Sequence, residues 1–152
     1  MQDLPILGWC EWLALPDLGL ARIEAKIDTG ARSSCLHAEW WQVFQRDDTD
    51  WVRFALRTEH AQLHEAEAQI IDRRAVRDSG GHVTDRLFFH TRVQIGTDAI
   101  TIEVNLANRQ NLRYPMLLGR TALAGRYRVD AQQRYLLSSG QPDVVACHPF
   151  DR

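Results

Sequence analysis

The chain has 152 residues, 45% hydrophobic and 25% charged, enough to bury an ordinary single-domain core without disulfides or metal. Eighteen basic against 20 acidic residues leave a net charge of −2, so no global field draws the protein onto nucleic acid or anionic lipid. No run approaches the ~20 apolar residues of a membrane helix, and the Met1-Gln2-Asp3 start, with Glu11, Pro16 and Asp17 breaking the apolar stretch from Leu4 to Ala21, predicts no signal peptide.

Period-two alternation dominates the pattern. Ala21, Ile23, Ala25 and Ile27 alternate with Arg22, Glu24 and Lys26, which predicts a strand running directly into Asp28-Thr29-Gly30. Gln45 to Asp50 reads as a polar, acidic loop, and Trp51 to Leu56 as a short strand. Ala66 to Ile71 suits a strand, although Glu65 to Ile71 also fits a helix. Leu87, Phe89, Thr91, Val93 and Ile95 face one way, with Phe88 the exception to the alternation. Ile100, Ile102, Val104 and Leu106 repeat the pattern, and the short Gly96-Thr97-Asp98 connection predicts an antiparallel hairpin. After Gly119, Arg120 to Ala124 is helix-friendly and Gly125 is a stop. Tyr127 to Val129 and Tyr135 to Leu137 read as further strands, and the tail from Ser138 to Arg152 as an extended end. Many short strands separated by turns predict a mostly β, single domain over 1–152, built as a small barrel or sandwich. Cys10, Cys35 and Cys147 are widely spaced and lack a C-x-x-C, which suits a reducing cytoplasm.

Asp28-Thr29-Gly30 sits at a strand end, where a sharp turn would present a carboxylate. Taken alone it is more often a hairpin turn with a solvated Asp. Far downstream, Pro115-Met116-Leu117-Leu118-Gly119-Arg120 is an apolar strand end entering a short helix, with most predicted strands between the two motifs. In that order the pair resembles the lobe of an aspartic peptidase. Four blocks extend the likeness: Lys26 to Ser34, Trp51 to Phe54, Arg74 to Gly80, and Asn108-Arg109 leading to Tyr114 through Arg120. Together they resemble a bacterial retropepsin-like family, labelled ATP-dependent zinc proteases and associated with ATP-grasp ligases that add glutamate to ribosomal protein. The resemblance covers residues 5–137. It implies an all-β, closed or partly open barrel of the acid-protease type, with one short helix after Gly119. It also implies that the strand of the second motif packs beside the Asp28 loop, with Gly119 close to its backbone.

Residues do not support the metal or nucleotide in that label. His60 and His64 lie four apart without the Glu of a His-Glu-x-x-His helix, and His37, His82, His90 and His148 are scattered. No Gly-x-x-x-x-Gly-Lys-Ser/Thr loop is present. No cofactor and no metal are expected, and ATP would belong to a partner ligase. Ser33, Ser34 and Cys35 lack a His/Asp partner spacing that would make a nucleophile.

Aspartic-peptidase chemistry needs two carboxylates sharing one proton. Asp78-Ser79-Gly80 is an internal candidate, but it follows charged Arg73, Arg74 and Arg77 and abuts Gly81, which suits a hairpin tip or a flap. Two-fold pairing of the chain is the better source, with Asp28 from each copy as base and acid, Gly30 in the turn, and Thr29 bracing the pair. Ala31, Arg32, Arg77, Ser79, Gly80, Arg109 and Arg120 are the expected substrate-binding residues, the arginines favouring acidic or glutamate-tailed peptides. The alternative is a non-catalytic binding module that regulates a glutamate ligase through the same cleft.

Overall fold

The computed structural model describes residues 3–57, 62–78, 80–108 and 113–138. In chain order they form β1 (Ile6–Gly8), β2 (Cys10–Leu15), a 3-10 turn (Pro16–Leu18), β3 (Leu20–Asp28), β4 (Ser34–Arg46) and β5 (Thr49–Arg57). There follow β6 (Leu63–Gln69), β7 (Asp72–Arg77), β8 (Val83–Ile95), β9 (Asp98–Asn108), β10 (Met116–Gly119), α1 (Arg120–Leu123) and β11 (Arg128–Asp130). The fold is all-β with one short helix, and no helix is long and apolar enough to cross a membrane.

Strand pairing runs β10-β3-β2-β8-β9-β4 and returns from β4 to β10, closing a ring of strands. β10 is inserted between β3 and β4, which are consecutive in sequence. It is parallel to β3 (Leu118 opposite Ile27, Gly119 opposite Asp28) and antiparallel to β4 (Met116 opposite Leu36). β5 and β6 extend the sheet beyond β4, β7 lies on β8, and β1 pairs in parallel with β11. Leu13, Ile23, Ala25, Leu36, Phe89, Val104, Leu106, Met116 and Leu118 belong to one continuous apolar core, where Phe54 stacks on Phe89.

The β8–β9 hairpin, β3, β5 and the helix after Gly119 lie where alternation and composition place them. Phe88 breaks the alternation of β8 because both faces of the strand are covered there, its outer face by the Arg74 guanidinium 4.3 Å above the ring. Residues 65–69 are strand, not helix: Ala66 and Ala68 are buried and the segment pairs antiparallel with β5. The polar stretch 45–50 is mostly strand as well, since β4 and β5 continue to a tight turn at Asp47-Asp48. Both residues have positive φ (52° and 62°), as a two-residue hairpin turn requires.

Residues 135–137 form no strand. Their backbone is claimed by a side chain instead: Glu11, fully buried, accepts hydrogen bonds from the N–H groups of Leu136 (2.8 Å), Leu137 (3.4 Å) and Ser138 (3.1 Å) and from the Ser138 hydroxyl (2.7 Å). The same carboxyl receives Gly8 N–H at 2.6 Å. Tyr135, at φ 57°, stacks on Trp12 and hydrogen-bonds Glu24 through its hydroxyl. Most of the predicted tail, 139–152, lies outside the described residues.

Glu11 is therefore the clasp that fastens the C-terminal segment to the barrel. Glu11→Ala strands several buried N–H donors and is expected to lower stability by roughly 3 kcal/mol or more in urea titrations, with faster amide exchange at Leu136 to Ser138. A loss under about 1 kcal/mol would mean that water replaces the carboxyl at no cost.

Candidate active site

β3 alternates buried and exposed residues up to Ile27 and ends on Asp28, which is half-buried at the mouth of the barrel. The chain then turns. Gly30 N–H donates to Asp28 Oδ1 at 3.1 Å and Ala31 N–H to the Asp28 carbonyl at 3.3 Å, a compact Asx-type turn. Thr29 and Gly30 are exposed beside it.

What fixes this turn comes from the far motif. The register Gly119 opposite Asp28 brings the end of β10 against the loop. Gly119 N–H donates to Ser34 Oγ at 3.0 Å, Arg120 N–H to Ala31 O at 2.7 Å, and Thr121 N–H to Arg32 O at 3.0 Å. The Arg120 guanidinium donates to Thr29 O at 3.0 Å. The loop's carbonyls are thus held by the start of α1. Only glycine fits at 119, because a Cβ there would stand 2.5 Å from the Ser33 carbonyl carbon and oxygen.

A second layer stands behind the first. Asn105, buried on β9, donates to Ser34 O at 3.1 Å and accepts from Arg86 at 3.1 Å. Ser34 is therefore a strut between Gly119 and Asn105. Cys35 is no nucleophile: burial pushes its thiol up to about 11 despite the Arg86 guanidinium beside it. His37 is buried with its Nδ1 on Tyr114 O at 2.7 Å, and His64 hydrogen-bonds Leu18 O at 2.7 Å. Among the described residues no three His, Cys, Asp or Glu side chains are grouped to hold a metal ion.

Of the expected substrate-binding residues, Ala31 and Arg32 lie in the loop after Asp28, and Arg120 braces the turn through Thr29 O. Arg77 and Gly80 lie at the tip of the β7–β8 hairpin, where Arg77 donates to Gly81 O at 3.3 Å. Ser79 and Arg109 lie outside the described residues. Asp78 is held by its own turn, accepting from the N–H groups of Gly80 and His82, each at 2.9 Å, and these bonds keep its carboxyl below the usual range. The hairpin is anchored at its base, where Arg74 forks onto Glu103 at 2.7 and 2.9 Å and bonds Asp72 at 2.7 Å. That pairing holds the Glu103 carboxyl low. Asn105, Arg86 and Thr121 were not legible as site residues. Asn105 sits at an ostensibly outward strand position, and its burial depends on a contact with a distant strand.

A profile of the RimB-like family, described as the retropepsin-like aspartic endopeptidase RimB, matches residues 6–139. Among curated proteins, a probable alpha-L-glutamate ligase of Shewanella halifaxensis is 36% identical over 142 residues, 91% of this chain but 31% of the relative. One of Parasynechococcus marenigrum is 36% identical over 143 residues, 92% of this chain and 31% of the relative. The chain spans about a third of the length of these curated relatives. A crystallised Legionella pneumophila protein of unknown function superposes with a TM-score of 0.75 at 28% identity, covering 89% of this chain and 99% of that one.

Gly119→Ala forces its methyl into the Ser33 carbonyl and is expected to cost about 1–3 kcal/mol in chemical denaturation. NMR shifts should concentrate in residues 28–34, and a neutral substitution would show that the loop is not clamped.

Proposed function

The chain belongs to the RimB-like family of retropepsin-like aspartic endopeptidases, and on that premise we propose that it hydrolyses amide bonds as a homodimer in the cytoplasm. The observation that carries this reading is the Asp28 turn. It offers one carboxylate at the barrel mouth, clamped by Gly119, Arg120 and Thr121, while Asp78 is occupied by its own hairpin.

Retropepsin chemistry follows from bringing Asp28 and its copy together across a two-fold axis. Two carboxyls that close cannot both ionise, so the pair holds one proton. The ionised member takes a proton from a water lodged between them, the water oxygen attacks the amide carbon, and the protonated member hydrogen-bonds the carbonyl oxygen. Collapse of the tetrahedral adduct breaks the C–N bond as a proton passes to the departing amine. Thr29, whose side chain has no partner among the described residues, would bridge to its copy beside the pair. The β7–β8 hairpin, anchored by Arg74 and Glu103, serves as the flap. Arg32 and Arg77 direct the cleft toward acidic or glutamate-tailed peptide.

A second reading rests on the relatives, in which this region is part of a probable glutamate ligase. In that reading the domain is a non-catalytic module that binds the glutamate tail or the ATP-grasp ligase and regulates addition.

The two readings separate on Asp28→Asn. Peptidase action predicts cleavage of glutamate-tailed peptides that falls at least about 10³-fold in the variant, a bell-shaped pH profile belonging to the pair, and a light-scattering mass twice the 17.5 kDa chain. Equal inactivity of both proteins, with tail binding retained, would overturn it in favour of the module.

A further inference from the structure

One face of the β7–β8 hairpin carries two arginines side by side, since Arg74 and Arg86 are partners in the strand register. They grip alternate residues of β9, which share a face of that strand: Arg74 holds Glu103 and Arg86 holds Asn105. The Arg74 charge is matched by Glu103 and Asp72. The Arg86 charge is not matched. Half-buried, its guanidinium donates to Asn105 Oδ1 at 3.1 Å, Thr84 Oγ1 at 3.2 Å and Cys35 Sγ at 3.8 Å, and no carboxylate lies within ion-pair distance of it among the described residues. The Cys35 thiol, pushed up to about 11 by burial, stays neutral beside it.

A charge held against neutral groups needs a reason, and the Asn105 amide supplies one. The oxygen and nitrogen ends of an amide are alike in size, so packing alone does not decide which way it faces. Arginine only donates and must take Oδ1, while the backbone carbonyl of Ser34 only accepts and takes Nδ2, at 3.1 Å. Asn105 is buried, and a reversed amide would set donor against donor at Arg86 and acceptor against acceptor at Ser34. Arg86 thereby fixes the amide that holds Ser34, whose hydroxyl receives the N–H of Gly119, the residue opposite Asp28. Arg86 belongs to the hairpin and Ser34 to the support of the acid turn, so one amide joins the two.

We propose that Arg86 is a positioning residue for Asp28: it orients the Asn105 amide onto Ser34 and so ties the acid turn to the flap hairpin. Arg86 acts through Asn105 and Ser34, and Arg74, paired with Glu103, is the separate anchor of the hairpin base. The effect on turnover rests on the peptidase reading; the tie itself does not.

Amide exchange and turnover test it separately, in the full chain, with Arg86→Met and Arg86→Lys. Methionine keeps an apolar stem and removes the donor, and trading a half-buried unpaired charge for an apolar chain leaves the global fold standing. Lysine restores a group that only donates. Exchange at Gly30, Ala31 and Gly119 is expected to quicken at least about tenfold in Arg86→Met and to recover most of the way in Arg86→Lys, with Leu136 to Ser138 at the Glu11 clasp unmoved. Loosening the hairpin tip by Asp78→Ala should quicken Gly119 exchange in the parent protein and add nothing in Arg86→Met. With glutamate-tailed peptide, Arg86→Met is expected to lower kcat at least about tenfold with KM within about twofold, and Arg86→Lys to restore most of kcat. Unchanged exchange at Gly119, equal loss in the Met and Lys variants, a rise at the clasp as large as at Gly119, or an Asp78→Ala effect independent of Arg86 overturns the proposal. The expected exchange pattern in a protein that cleaves no peptide would sink the peptidase reading and leave the tie standing.

Discussion

Everything at the candidate site depends on where β10 is allowed to lie. A strand that pairs in parallel with β3 and antiparallel with β4 must enter between two strands consecutive in sequence, and it can do so only if the connection between them is held open. The Asp28-to-Ser33 loop is that connection. Gly119 touches it at backbone distance, and the N–H groups of 119, 120 and 121 satisfy Ser34 Oγ and the carbonyls of Ala31 and Arg32. The pairing that closes the barrel is thus the pairing that immobilises the carboxylate. A side chain larger than hydrogen at 119 would disturb both at once.

The same constraint bears on the proposed pairing of two chains. In the closed ring β10 occupies the position beside Asp28, with Gly119 opposite it, so the neighbouring strand brings no second carboxylate. Asn105, Ser34 and Arg86 reinforce that turn from behind, whereas among the described residues the hydrogen bonds of Asp78 are local to its hairpin. In the proposed homodimer, symmetry would supply a second, identically clamped carboxylate without further sequence. Preorganisation of this kind is what lets two acids share a proton at fixed separation.

Legibility followed the geometry of burial. β3, β8 and β9 have one face in the core and one outside for most of their length, and their alternation betrayed them. β2 and the first half of β4 are buried on both faces, so Cys10 to Leu15 and Ser34 to Ala38 show no alternation to read. β7 is exposed and arginine-rich and reads as a loop until Arg74 finds Glu103 on β9. Tyr135 to Leu137 has strand residues without a strand partner, because the partner is the Glu11 carboxyl from the other end of the chain. At the site, Asp28 and Gly119 were visible as motifs, and the family resemblance placed them together.

Whether two copies build the site is decided most directly by mixing wild-type chain with Asp28→Asn chain at fixed total concentration, under conditions of full subunit exchange. If each site needs Asp28 from both copies, peptidase activity falls as the square of the wild-type fraction. A linear fall would show that a single Asp28 suffices and would contradict the shared dyad.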